Sequence, residues 1–314
     1  MALDFSELQS VSKNAFDPNL HNNMYEETVF FAKLKSKNKI VYDGGIKIQF
    51  AIEYTQLGRA AQSGWRDQMV FGNKDTITAG VLEWAPYTAN ITQEWDEQVM
   101  NAGRGKIIDL AAAKAKALKN DLKHKLSYDI LTSTSQGTQV LVPLSVIVDS
   151  ATTYAGVAVA DAADWASTED STTTTMVLFG SGSLSYTFNA ATFGADMPTM
   201  GLTTRDLLSK LESLLQPQRR YTSEEELDKK FPHVLFNSKP VFSDPYVPAG
   251  YFYMLDLDKF ELAVAEGQDE VSDWFTLEQD GRPHTLAKWA SWVGNLKCNS
   301  RKTSFKMSAL DYTK

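Results

Sequence analysis

The chain has 314 residues, 43% of them hydrophobic and 22% charged, with a net charge of −8 from 31 basic and 39 acidic side chains. That is enough chain for one large domain or two modest ones, in an ordinary globular composition. The acidic balance excludes the basic footprint of a dedicated nucleic-acid binder, though not a protein that encloses nucleic acid without gripping it.

Residues 1–38 read as a polar, Asn-rich arm whose apolar anchors are Phe5, Leu8, Phe16 and Leu20. Such a segment is either a disordered leader or a strap laid across a neighbour. A hairpin follows. Ile46, Ile48, Phe50, Ile52 and Tyr54 alternate with polar or small residues, and Tyr87, Ala89 and Ile91 do the same in a returning strand at about 81–92. A lone ribbon is marginal in water, so its apolar face is expected to be covered from outside, most simply by another copy of the chain. The connection, 56–80, is longer than a compact domain usually allows. It carries Arg59, Trp65, Arg66, Asp67, Phe71, Lys74 and Asp75, and reads as a projecting contact loop.

Residues 106–130 form a long helix by their spacing, with Ile107, Ile108, Ala111, Ala115, Leu118, Leu122 and Leu126 on one stripe and Lys116, Lys119 and Lys123 on a solvated flank. The valine-rich run 139–148 reads as a strand, and 168–175 as an exposed Ser/Thr loop. Val177–Phe179 and Ser185–Phe188 are further strand candidates. Thr203 with Asp206 resembles a capping box before a helix bearing Leu207, Leu208, Leu211, Leu214 and Leu215, and Ser223 with Glu226 repeats the start signal. The tail is β: 234–236, 251–255, 260–264, an alternating run through Ala287 to Val293, a turn at Gly294-Asn295, and a closing strand with Phe305 and Met307. The pattern is α+β.

Chemistry is absent from this reading. The single Cys298 rules out an intramolecular disulfide framework and a multi-cysteine metal site. His21, His124, His233 and His284 stand apart, none at metal-ligand spacing from another. His124 reads as a surface residue and Cys298 as structural. No phosphate loop or nucleophile elbow is present. No catalytic, cofactor or metal residue is expected, and no cofactor. The first 23 residues lack a signal-peptide core and no apolar run suits a membrane helix, so a cytoplasmic chain without a membrane is expected.

In order, these parts resemble the major capsid proteins of tailed bacteriophages, of the Hong Kong 97 fold. The local matches are Ile91-Thr92 and Trp95–Glu97 before the long helix, Asp244-Pro245-Tyr246-Val247-Pro248-Ala249-Gly250, and Gly294-Asn295-Leu296-Lys297-Cys298 with Arg301 and Lys302. The resemblance implies an N-terminal arm (1–38), an extended hairpin or E-loop (39–92), a spine helix in a peripheral domain (93–135), an axial domain (136–280) and terminal strands returning to the peripheral domain (281–314). It implies copies gathered as pentamers and hexamers in an icosahedral shell around double-stranded DNA, with a separate scaffolding protein and a portal as partners. The candidate intersubunit contacts are then Phe5, Leu8, Phe16, Leu20, Arg59, Trp65, Arg66, Asp67, Phe71, Lys74 and Asp75. An encapsulin-like compartment holding cargo enzymes, or an unrelated enzyme, are the competing readings.

Overall fold

A computed structural model describes residues 28–314, apart from 54, 56, 59, 61, 67, 69–70, 73–74, 101–109, 135–136, 216–232, 269, 278–281 and 314. The described elements are, in order, α1 (Val29–Ser36), β1 (Ile40–Asp43), β2 (Ile48–Glu53), β3 (Ile77–Leu82), β4 (Ala85–Gln93), α2 (Trp95–Met100), α3 (Leu110–Leu131), α4 (Leu144–Ile147), β5 (Thr168–Asp170) and α5 (Leu184–Ala190). They continue as β6 (Met200–Thr203), α6 (Arg205–Leu215), β7 (His233–Phe236), β8 (Lys239–Ser243), β9 (Phe252–Leu255), β10 (Phe260–Ala265), β11 (Glu270–Val271), β12 (Phe275–Leu277), β13 (Arg282–Cys298) and β14 (Phe305–Met307). The fold is α+β, as the sequence predicts.

The described residues divide into two compact units, one taking in 88–123 and 270–291, the other 28–87, 124–269 and 292–314.

The larger unit holds a sheet ordered β5-β14-β9-β6-β8-β7. Its strands alternate sides. Phe252, Met254, Phe305 and Met307 face a core with Leu184 and Phe188 of α5, and with Leu207, Leu208 and Leu211 of α6. The segments expected as strands at 177–179 and 185–188 are instead a turn and helix α5, because Ser183 caps the helix by accepting the Tyr186 N–H at 3.2 Å. At α6 the hydroxyl that accepts the Leu207 N–H, at 3.4 Å, belongs to Thr204, not Thr203. The Ser/Thr stretch opens as β5, parallel to β14, before Asp170 turns the chain by accepting the N–H groups of Thr172 and Thr173.

A second correction concerns 139–148. Its apolar run does not form a strand; Pro143 leads into the short helix α4, whose four residues are all buried. The guanidinium of Arg301 supplies what a strand partner would have supplied, donating to the carbonyls of Val146, Ile147, Asp149 and Thr152. Beside it, buried Lys306 donates to the Ser145 carbonyl at 2.9 Å and pairs with Asp149 at 2.7 Å and Glu169 at 3.2 Å.

Gly294-Asn295 is not a turn either. Both residues lie inside β13, with Gly294 opposite Val264 and Asn295 opposite Ala263 of β10. A side chain at 294 would place its Cβ 2.5 Å from the Ala263 carbonyl oxygen and 2.7 Å from Trp292 Cζ2. The glycine therefore serves close approach, not reversal. Asn295 spends its amide on the Val140 and Glu83 carbonyls, and its Oδ1 accepts the Val142 N–H. The segment Asp244–Gly250 is a turn that buries Asp244 and Val247 and exposes Pro245 and Ala249. Asp244 accepts the Tyr246 N–H at 3.0 Å, and burial raises its carboxyl above the usual range against that bond and one from the Val29 N–H. Gly250 sits at φ +82, and a Cβ there would lie 3.0 Å from the Leu310 carbonyl oxygen.

In the smaller unit, Lys114 of α3 pairs with Glu97 of α2 and donates to the Thr92 carbonyl at 2.9 Å. Gln98 donates to the His284 carbonyl at 3.1 Å and Thr285 to Glu94 at 2.9 Å, tying α2 to β13. The described part of the long helix, α3, spans 22 residues, with Leu118, Leu126 and Ile130 buried and Lys116, Lys119 and Lys123 exposed. The residues from 101 to 109, where its start was expected, lie outside the described residues, as does the Ser223–Glu226 signal.

Candidate assembly surface

The hairpin is β2 against β3, in register from Ile48↔Leu82 to Glu53↔Ile77. The returning strand thus begins earlier than expected, at Ile77, and Ala85–Gln93 is a separate strand that pairs with β13. Thr78-Ala79-Gly80 lacks a bulky alternating pattern because the large residues come from β2. A Cβ at Gly80 would lie 2.5 Å from Ile52 Cδ1 and 2.9 Å from Phe50 Cζ.

The expectation that the ribbon's apolar face is covered from outside it, most simply by another copy, is met in part within this one chain: Ile48, Phe50 and Ile52 are buried, while Ile46 is 93% exposed. The Lys297 ammonium stands 5.4 Å from the Phe50 ring centroid, and the Val81 N–H donates to the Ala155 carbonyl at 2.9 Å. Trp84 closes the base by donating to the Gly45 carbonyl at 2.9 Å, beside the Lys47–Glu83 pair at 3.2 Å.

Beyond Tyr42 and Ile46, a further uncovered apolar area is farther out, in the loop. Trp65 is fully exposed, Phe71 is 89% exposed, and Leu57 and Ile77 are exposed as well. Arg66 and Asp75 are exposed in the same loop. Of the predicted contact residues, Trp65, Arg66, Phe71 and Asp75 are therefore at the surface; Phe5, Leu8, Phe16, Leu20, Arg59, Asp67 and Lys74 lie outside the described residues.

Helix α2 carries a second exposed apolar surface that the sequence reading did not single out as a contact. Trp95 and Val99, one turn apart, are each about 60% exposed. The signal was present in Glu94-Trp95-Asp96-Glu97-Gln98-Val99, an i, i+4 apolar pair among acids. The indole stacks on His284 with centroids 5.0 Å apart and planes 29° apart.

Cys298 is fully buried, which pushes its thiol up to about 12, and its Sγ donates to the Ser300 carbonyl at 3.1 Å. His124, expected at the surface, is partly buried, with Nδ1 bonded to the Tyr246 hydroxyl. No group of three or more His, Cys, Asp or Glu among the described residues is placed to hold a metal ion. No helix among them is long and apolar enough to cross a membrane.

With this geometry in hand, solved structures provide close matches in shape. A cyanophage A-1(L) capsid asymmetric unit aligns with TM-score 0.71 at 16% identity, over 98% of this chain and 99% of that one. The capsid of a native GTA particle aligns with TM-score 0.62 at 11% identity, over 99% and 100% of the two chains. The chain has the fold of a phage capsid protein. A structure of Mycobacterium phage Bobi shares this capsid fold at TM-score 0.61 and 14% identity, over 99% of both chains. No protein-family model matches the sequence, and no curated protein does. The capsid fold is thus carried by shape, at identities where individual residues are not transferable.

Proposed function

We propose that this chain is the major capsid protein of a tailed bacteriophage, self-assembling into the icosahedral shell that encloses a double-stranded DNA genome. The observation that carries the reading is the end-to-end overlap, at TM-score 0.71, with a cyanophage capsid asymmetric unit. It is supported by large aromatic side chains standing in solvent on a loop, since such exposed apolar surface marks sites buried on association.

In this reading the architecture is Hong Kong 97-like. The β2–β3 ribbon and its loop, within 39–92, act as the E-loop, α3 within 93–135 as the spine helix, 136–280 as the axial domain, and 281–314 as the terminal strands. Residues 1–38 act as the arm. The role is structural, with no catalysis. The subunits gather as pentamers and hexamers, assemble in the host cytoplasm with a separate scaffolding protein and a portal, and hold DNA without reading its sequence. The net charge of −8 suits a wall that contains DNA and does not adhere to it.

Negative-stain electron microscopy of the purified chain, alone and co-expressed with its scaffolding protein, together with light scattering, tests this. Closed polyhedral shells or capsomer rings are expected. A chain that stays monomeric at high concentration under both conditions overturns the proposal, and shells filled with a protein cargo instead of DNA favour the compartment reading.

A further inference from the structure

The loop and helix α2 present complementary surfaces on each copy. On the loop, Trp65 stands in solvent with the cation of Arg66 next to it. On α2, Trp95 and Val99 form an apolar face, and the His284 ring behind Trp95 holds the indole as a flat platform. Exposed Glu94 and Asp96 give that face an acidic rim. The neighbouring Glu97 is paired with Lys114, which leaves Glu94 and Asp96, on either side of Trp95 in sequence, as the exposed acids.

We propose that Trp65 and Arg66 of one copy seat on the Trp95–Val99 face of a second copy, Trp65 covering Val99 and the Arg66 guanidinium lying over the Trp95 ring beside Asp96. The inference rests on the shell reading above and names the contact by which the loop engages its neighbour. Three features select a second copy as occupant. Each surface is solvent-exposed in its own chain. The Arg66 cation and the Glu94 and Asp96 carboxylates are opposite in sign, which fixes register and speeds encounter. An aromatic face and a guanidinium are a matched pair, strongest when desolvated. The two surfaces are different patches, so the contact is heterologous and propagates from copy to copy, as ring-shaped pentamers and hexamers require.

The test uses the full chain under conditions in which the parent forms shells. Arg66→Glu and Asp96→Lys, both at exposed positions, each reduce shell yield about tenfold while leaving circular dichroism unchanged, and the two together return it to within about twofold of the parent. In parallel, Trp65→Cys copies are mixed with Val99→Cys copies and treated with a short bis-maleimide; Cys298 is buried and silent. Cross-linked dimers are expected from the mixture and from neither variant alone. Shell yield unaffected by both charge changes, no restoration in the double variant, or cross-links from position 99 to a different virion protein overturns the assignment while the shell reading stands. A parent chain that forms no assembly overturns the shell reading, and this inference with it.

Discussion

Arg301 closes the end of the helix that finishes at Ile147: its Nε donates to the Ile147 carbonyl at 2.6 Å, across 154 residues of sequence. Its other nitrogens reach Val146, Asp149 and Thr152, so one fully buried side chain satisfies four backbone acceptors of a segment outside any sheet. A lysine there has one ammonium in place of a planar fork and cannot reach them together. Arg301→Lys and Arg301→Met are expected to destabilise the subunit by about 3 kcal/mol or more, because unpaired buried carbonyls keep their desolvation cost. Soluble yield and the urea midpoint measure this, and a midpoint equal to the parent's refutes it.

The close passage of β13 over β10 at Gly294 makes a different prediction. Gly294→Ala drives a methyl into the Ala263 carbonyl and the Trp292 ring, and an overpacked site of this kind costs about 1–3 kcal/mol. Ordinary strand reasoning expects the opposite sign, since alanine suits a strand better than glycine. A thermal melt decides between them.

Acid should weaken the fold through Asp149. Burial raises its carboxyl, but the Lys306 ammonium, Thr152 and the Ala151 and Thr152 N–H groups outweigh this and hold it well below the usual carboxylate range. A depressed carboxylate contributes stability that is present above its unfolded pKa and lost as pH falls below it. Asp149→Asn is therefore expected to cost about 2 kcal/mol at pH 7 and progressively less towards pH 2. Urea midpoints for parent and variant, converging as pH is lowered, are the expected record; parallel curves exclude the mechanism.

Alkali acts through the opposite arrangement at Cys298. Burial raises its thiol to about 12, so between roughly pH 8.5 and 12 the unfolded chain releases a proton that the folded chain retains. The unfolded state binds fewer protons there, and stability falls with rising pH by up to about 1.4 kcal/mol per unit from this group. The buried hydroxyls of Tyr154 and Tyr253, both raised by burial, extend the loss above pH 10. Native subunits should also resist a thiol reagent at pH 8 that labels the urea-unfolded chain fully; rapid native labelling contradicts this.

Phe71 separates folding from assembly. It is 89% exposed, so Phe71→Ser is expected to leave the melting temperature within experimental error, a change of less than about 0.5 kcal/mol, while lowering the yield of shells. A melt that falls together with shell yield would assign Phe71 to the subunit's own core instead.

Much of the fold was legible where periodicity and position agree. The short tail strands at 234–236, 251–255 and 260–264 are apolar runs buried close to their expected ends. The helix at α5 was missed for a local reason, the Ser183 cap, but other failures share a partner distant in sequence. Gly294-Asn295 has turn composition, yet it is held straight by β10. Residues 139–148 have strand composition, yet Arg301 satisfies their carbonyls as a helix. The ribbon's apolar face was read correctly as needing cover; Ile48, Phe50 and Ile52 are buried within the chain, with Lys297 of β13 over the Phe50 ring. At the candidate surface, Trp65 and Phe71 were legible because apolar residues in a long loop have no local reason to be there. Trp95 and Val99 were passed over because an amphipathic turn beside a long helix reads as packing.

Strand β14 lies between β5 and β9, yet it is made after every other strand of its sheet. Phe305, Met307 and Leu310 also complete the core on which α5 and α6 rest. On the ribosome, at about 5–20 residues per second, the sheet waits about 3–10 seconds between β9 and its missing member. A polypeptide interrupted before Phe305 keeps the loop that would reach for neighbours but leaves β5 detached and the core open. On the proposed shell reading, the strand made last is the one that closes the core, and a chain cut short before it is expected to carry the contact loop on an open, protease-sensitive body.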